Sequence, residues 1–125
     1  MTQPIGLAVQ FRMLIAAAEE DCGIGGLDPR SRDIIYFVAE REIAATDTAV
    51  SHIILNDRFG SLGTVQRHLY SLIADSWLEA RAAEADARRK DIRLGPKSRE
   101  ALAAMASHLR ARLASIQTIE AAHDL

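Results

Sequence analysis

The stretch 61–94 most constrains what this chain can fold into, because its first half has the spacing of an amphipathic helix. Ser61 provides an N-cap oxygen, and apolar residues then recur three or four positions apart, on one helix face. The buried side of this helix would hold Val65, Leu69, Leu72 and Ile73. Its exposed flank would carry polar or small residues, namely Gly63, Thr64, Gln66, Arg67, His68 and Tyr70.

The second half of the stretch has the pattern of two strands joined by a basic turn. An extended segment begins at Trp77, and the turn after it shows no apolar periodicity. Ile92 and Leu94 then alternate with charged residues, as in a strand that buries only one face. The charged Asp91 and Arg93 would therefore face solvent. Three cations lie at the end of the turn and the start of the second strand: Arg88, Arg89 and Lys90.

A short helix is predicted before this stretch. Val50, Ile53 and Ile54 share one face after a cap cluster formed by Thr46, Asp47 and Thr48, and residues 58–60 make the turn that follows. Two short helices joined by a tight glycine turn predict a helix-turn-helix. With the basic hairpin as its wing, the expected fold class is mostly α, a winged helix-turn-helix domain whose second helix enters a DNA major groove.

Three longer helices are predicted around this motif. The first spans about 4–20, and its apolar stripe consists of Leu7, Phe11, Leu14, Ile15 and Ala18. Asp28 and Pro29 form a strong start signal for the second, which runs to about Ala44 and buries Ile34, Ile35, Phe37 and Val38. The last begins at Pro96 and ends near Ala122, with a stripe of Leu102, Met105, Leu109, Leu113 and Ile116.

The two terminal helices have little core left to cover, because the winged motif needs only the helices within 29–73 and the hairpin. We therefore expect them to pack against a second copy in a two-fold homodimer. The predicted dimerisation residues are Phe11, Leu14, Ile15, Leu109, Leu113 and Ile116. This divides the chain into an N-terminal dimerisation helix and loop (1–27), a DNA-binding domain (28–95) and a C-terminal dimerisation helix (96–125).

Charge is distributed unevenly along the 125 residues, although the net charge is only −2. Residues 1–57 carry four basic and nine acidic side chains, whereas 58–112 carry eleven basic and six acidic. Such asymmetry is typical of a phosphate-binding surface, and a solvated charged face is the alternative. Double-stranded DNA is therefore the expected partner.

Other classes of protein find little support in the residues. One cysteine, Cys22, excludes an intrachain disulfide and fits a reducing cytoplasm, the expected location. No apolar run is long enough to span a membrane, and the first residues lack the basic segment of a signal peptide. The four histidines lack metal-ligand spacing, so we expect no metal and no cofactor. No nucleophile elbow or phosphate loop is present, so an enzyme is not expected.

Two motifs resemble the MarR family of bacterial winged-helix transcriptional regulators. SLGTVQRHLYSLIADSWLE (61–79) is similar to the family's Ser-x-x-Thr-Val-x-Arg recognition helix and its exit, and DARRKDIRLGPKSREAL (86–102) to its Asp-x-Arg wing and returning strand. The resemblance implies a homodimeric regulator, in most cases a repressor, on a near-palindromic operator. It places base or phosphate contacts on the helix from Ser61, chiefly at Gln66 and Arg67.

The resemblance also assigns roles in the hairpin. Arg88 would enter the minor groove, while Asp86 would hold it or a neighbouring arginine. Three positions depart from the family pattern: Ser76 replaces a glycine expected at positive φ, Gly95 replaces a threonine and Ser98 replaces a glycine. These departures weigh against a standard small-molecule pocket, so the resemblance allows an effector but no residue supports one.

Alternative roles exist for several of these residues. Gln66 and Arg67 would also suit a solvated helix face, and 88–90 a flexible charged turn. His68 would face either DNA or solvent, and Tyr70 would bind a phosphate or cover the edge of the core. Cys22 suggests the peroxide switch of some MarR-like regulators, but the acidic side chains at 19–21 disfavour a thiolate. The alternative function is a winged-helix protein-interaction module without DNA binding.

Overall fold

The computed structural model describes residues 4–86 and 88–123, and for 116–123 it describes the backbone alone. In chain order the helices and strands are α1 (Pro4–Cys22), α2 (Pro29–Ile43), α3 (Val50–Ile54), α4 (Leu62–Ala74), β1 (Leu78–Ala82), β2 (Lys90–Leu94) and α5 (Pro96–His123). Short 3₁₀ turns follow α1 and α3, at Ile24–Gly26 and Asp57–Phe59. The chain forms two compact units, Leu27–Glu100 and Met1–Gly26 with Ala101–Leu125.

Helix α2 begins where its start signal predicts. Pro29 occupies the first turn, and Oδ1 of Asp28 accepts a hydrogen bond from the main-chain N–H of Arg30 at 2.9 Å. As predicted, this helix buries Ile34, Ile35 and Val38. Phe37, which is half-buried, packs edge-on against Phe59 with 5.4 Å between the ring centroids.

The predicted cap cluster before α3 is wrong. Ala49 holds the N-cap position, and its main-chain N–H donates to Nδ1 of His52 at 3.0 Å. Thr48 is instead buried, and its hydroxyl oxygen accepts from Nε of Arg41 at 2.8 Å. The same guanidinium donates to the main-chain carbonyl of Asp47. A cation from α2 therefore fixes this loop, a long-range contact that local capping patterns do not reveal.

Helix α4 follows a glycine turn, as predicted. Gly60 has a φ of 110°, a conformation that favours glycine, and Ser61 is the N-cap residue. Val65, Leu69 and Leu72 are buried and Ile73 is half-buried, so the predicted inner face of the helix is confirmed.

The two strands form an antiparallel hairpin in which Leu78 pairs with Leu94 and Ala82 with Lys90. Ile92 and Leu94 are buried, as their alternation predicts. The prediction that Asp91 faces solvent is wrong, since only 7% of its surface is exposed. Asp91 is covered because the segment before α3 pairs with β2 through an isolated bridge between Ala49 and Asp91. The cost of burying its carboxylate is offset by the guanidinium of Arg89 beside it.

The three departures from the MarR pattern meet at one turn. Ser76 adopts a φ of 67°, the positive value expected at that position. A Cβ added to Gly95 would lie 2.2 Å from the main-chain oxygen of Ser76. Trp77 contributes the adjacent carbonyl, which accepts from the N–H of Gly95 at 2.9 Å and from the buried hydroxyl of Ser98. The turn therefore joins the hairpin to the first residues of α5.

The second unit contains α1 and most of α5. Ala18, Ile24, Ala101 and Met105 are buried. The single apolar stripe predicted for α1 is too narrow, because large apolar side chains lie exposed on two opposite sides of it: Ile5, Leu7, Val9, Phe11, Met13 and Ile15. Among the described helices, none is long and apolar enough to cross a membrane.

Gly95→Ala should destabilise the protein by about 2–4 kcal/mol, because its Cβ would overlap a main-chain atom that cannot move aside alone. Gly26→Ala is the matched control, since a Cβ there would meet no described atom within 4 Å outside its neighbours. Urea denaturation followed by circular dichroism measures both. Equal stabilities of the two variants would contradict the close contact.

Candidate nucleic-acid interface

The exposed face of α4 presents a mixed set of side chains that suits hydrogen bonding to base edges. Arg67 is exposed and Gln66 is half-buried, while Gly63 lies on the same outer side. Tyr70 is 57% exposed, and both roles considered for it, a phosphate contact and cover for the edge of the core, stay predictions. Guanidinium, amide and phenol groups on one helix face can donate to bases or phosphates.

The first turn of α4 has its polar side chains occupied. The hydroxyl of Ser61 donates to Oγ1 of Thr64 at 3.0 Å, and Ser61 makes no side-chain cap to the helix. The first main-chain N–H groups of α4 therefore point outward without a side-chain cap. A helix terminus of this kind favours anions.

His68 faces α2 and not the outer side of α4. Its Nδ1 lies 3.1 Å from the hydroxyl of Ser31, and its Nε2 lies 3.9 Å from Oδ1 of Asp28. The side chain is 24% exposed. These contacts tie α4 to the start of α2, and they leave a DNA contact by His68 as an untested prediction.

The tip of the hairpin is a turn organised by Asp86. Its carboxylate accepts from the main-chain N–H of Arg88 at 3.0 Å, and its carbonyl accepts from the N–H of Arg89 at 3.0 Å. Asp86 thus contacts the backbone of Arg88 and not the guanidinium that the resemblance suggested. Arg88 and Lys90 are exposed and form no ion pair with a described residue.

Arg89 differs from its two basic neighbours because it is paired. Its Nε donates to Oδ1 of the buried Asp91 at 3.1 Å. The carboxylate needs this cation, since a charge removed from water without a partner is costly. Sequence alone missed this pair, although an acid directly after a run of cations, two positions after Arg89, was the available signal.

Arg30 is a further cation that the sequence did not single out. A Cβ added to Gly60, in the turn before α4, would meet the guanidinium carbon of Arg30 at 3.6 Å, so this side chain lies flat against the turn. Arg30 forms no ion pair with a described residue. Arg58, in the same turn, lies 5.6 Å from the ring centre of its neighbour Phe59. Arg58 is close to the first turn of α4 in the chain, and Arg30 is close to it in space.

The predicted dimerisation residues lie in the other unit. Phe11 and Ile15 are exposed, whereas Leu14, Leu109 and Leu113 are half-buried. The side chain of Ile116 lies outside the described residues. Cys22, also in this unit, is half-buried and its thiol donates to the carbonyl of Glu19 at 3.4 Å.

The structure offers little for other kinds of ligand in its described residues. No group of three or more His, Cys, Asp or Glu residues in the described part of the chain is placed to hold a metal ion. A shallow hollow of about 300 Å³ lies at the end of α2, between Glu42, Arg93 and Arg99. Glu42 already accepts hydrogen bonds from Arg99 at 3.0 Å and from the N–H of Leu94 at 2.8 Å. Its carboxylate is thus engaged within the protein.

Comparison with known proteins identifies the fold. The transcriptional regulator Tm0710 from Thermotoga maritima superposes on 90% of this chain and 75% of its own, with a TM-score of 0.66 and 17% identity. The fold is a winged helix-turn-helix. The M. tuberculosis transcriptional regulator MosR, solved in complex with DNA, aligns with 90% of this chain and 77% of its own, with a TM-score of 0.46 and 25% identity. No family profile and no curated protein matches the sequence.

In this winged helix-turn-helix, α3 and α4 are the two helices of the motif and the hairpin is the wing. Arg89→Gln should lower the free energy of unfolding by about 1–2 kcal/mol, because it leaves the buried Asp91 without its cation. The loss stays modest since Arg89 is itself 45% exposed. Arg88→Gln, the matched control, should change stability by less than about 0.5 kcal/mol.

Chemical denaturation of the two variants tests this difference, and Asp91→Asn added to Arg89→Gln should restore part of the loss. The ion pair would have no structural role if Arg88→Gln and Arg89→Gln proved equally stable.

Proposed function

We propose that this protein is a sequence-specific transcriptional regulator that binds double-stranded DNA. One observation carries the proposal: a single compact unit presents the exposed polar face of α4 beside a wing with unpaired cations. Arg67 would donate to guanine O6 and N7, and Gln66 would pair with adenine N6 and N7 in the major groove. Arg88 and Lys90 would contact the minor groove or its phosphates.

Backbone contacts would hold the helix in register on the duplex. The uncapped N–H groups of α4 suit a phosphate oxygen. Of the nearby cations, Arg58 lies in the turn before the helix and the guanidinium of Arg30 lies close to Gly60. The excess of basic residues in 58–112 supplies the matching electrostatic field. The shared fold with a transcriptional regulator supports the same conclusion. The resemblance to the MarR family favours a cytoplasmic bacterial repressor that excludes other proteins from its operator.

Arg67→Ala should weaken binding to a duplex selected from a random pool by about 1–3 kcal/mol and relax preference at particular base pairs. Lys90→Ala should instead weaken all sequences to a similar degree, because a phosphate contact carries no sequence information. Its plot of log affinity against log salt should be shallower by about 0.9. Fluorescence anisotropy across a salt series measures both variants.

Unchanged affinity and preference after Arg67→Ala would show that α4 does not contact the bases. A wild-type protein that binds no duplex even at low salt would overturn the DNA function. In that case the fold would serve as a protein-interaction module, the alternative expected from the sequence.

We also propose that the regulator is a two-fold homodimer joined by α1 and α5. A helix with apolar side chains on opposite sides is typical of a buried position, and in α1 several remain exposed. Phe11 is 41% exposed and Ile5 is 78% exposed. An isologous interface between two copies is the commonest way to cover such a surface. Two symmetric copies of α4 would then contact inverted half-sites about 34–36 Å apart.

Phe11→Asp should dissociate the dimer, because a carboxylate would be buried in an apolar interface. Ile43→Asp is the matched control: this residue is 87% exposed but lies at the end of α2, in the DNA-binding unit. Light scattering at micromolar concentration measures the mass of each, and footprinting on a selected site tests for paired half-sites. A monomeric wild type, or one asymmetric half-site, would refute the dimer.

A further inference from the structure

Two adjacent residues in the first turn of α4 leave apolar surface and helix backbone open to solvent. Leu62 is 53% exposed although it is a large apolar side chain. Gly63 occupies a helical position where an added Cβ would meet no described atom within 4 Å outside its own turn. Gly63 is also absent from the positive-φ residues, so neither space nor backbone conformation within the fold requires glycine there.

Both residues make the fold less stable than alanine at position 63 or a polar residue at position 62 would. Glycine in a helix is about 1 kcal/mol less favourable than alanine. An exposed leucine leaves apolar surface in water that a polar residue would not. A molecule that binds this turn would offset both costs.

The neighbouring polar groups indicate which molecule this turn would contact. Ser61 and Thr64 bond to each other, so the first turn offers an apolar side chain and an uncovered stretch of backbone. Gln66 lies one helical turn after Leu62, on the same side, and Arg67 follows it. In the major groove the apolar group that adjoins such polar base edges is the C5-methyl of thymine.

We propose that Leu62 recognises thymine methyl groups in the major groove, and that Gly63 lets the backbone of α4 approach the DNA closely beside them. The inference rests on the proposed DNA-binding function and adds to it a base preference. Polar residues on α4 would distinguish guanine and adenine, while Leu62 would favour A·T pairs at one position of each half-site. Gly63 would set how deeply the helix enters the groove.

The test of Leu62 removes one methyl group from the DNA at a time. In a duplex selected by the wild-type protein from a random pool, each thymine is replaced in turn by deoxyuridine, which pairs identically but lacks the methyl. Wild type should lose about fourfold in affinity at the contacted position, the equivalent of one buried methyl. Leu62→Ala should bind more weakly and should not distinguish thymine from deoxyuridine there. Ile43→Ala, which removes a comparable exposed side chain far from α4 in sequence, should still distinguish them.

A wild type that binds DNA but is insensitive to every replacement would overturn this inference and leave the proposed function intact. Retained sensitivity in Leu62→Ala would also overturn it. A changed molecular mass in Leu62→Ala would show that a second copy covers the leucine. No binding of the wild type to any duplex would overturn both proposals.

The test of Gly63 measures stability and DNA binding in the same variant, because the two are expected to change in opposite directions. Gly63→Ala should raise the melting temperature by about 2–5 °C, because alanine favours the helix, yet it should weaken DNA binding about tenfold. Ser71→Ala, at an exposed position two turns later in α4, should raise the melting temperature slightly and leave binding unchanged. Normal DNA binding by Gly63→Ala would refute the close approach, and a lower melting temperature would show that the fold itself needs this glycine.

Discussion

The contact between Gly95 and the carbonyl of Ser76 is the constraint on which the winged helix-turn-helix unit depends. At this turn the end of α4, both strands of the wing and the start of α5 meet, and the main chain of Ser76 leaves no room for a Cβ at position 95. The hydroxyl of Ser98 and the N–H of Lys97 bind the two carbonyls of the turn, so the first turn of α5 is held by main-chain acceptors.

The same turn shows why the departures from the MarR pattern at positions 76, 95 and 98 could not be interpreted from the sequence alone. Each of the three departures, taken alone, is a change of residue type with no evident cause. Together they describe one packing solution, in which Ser76 retains the positive φ and Gly95 removes the atom that would strike its carbonyl. Ser98 adds a hydroxyl that gives the carbonyl of Trp77 a second donor, besides the N–H of Gly95. A residue-by-residue comparison finds three separate differences, because it contains no information on which atoms are in contact in the folded protein.

Sequence periodicity predicted the elements well where burial alone decides their faces. The inner side of α4 and the start signal of α2 are examples, since each depends on residues within one or two turns. Periodicity gave wrong predictions where a contact with another element determines how a loop is capped or whether a residue is buried. Arg41 fixes the loop before α3 from seven residues away, and Asp91 is buried beside a pairing segment that strand alternation cannot predict. The candidate site shows the same division: the cations of the wing were predicted, but the pairing of Arg89 and the position of Arg30 beside Gly60 were not.

Two departures from ordinary local preferences in the winged helix-turn-helix differ in whether the fold explains them. Ser76 has a positive φ, and an internal reason is visible because its carbonyl binds the start of α5. Leu62 is exposed although it is apolar, and Gly63 has open space around it, so burial and space do not require either residue type. Local choices that conflict with the fold persist where something other than folding selects them. The first turn of α4 is such a place, and in the proposed function it is the part of the helix that contacts the bases.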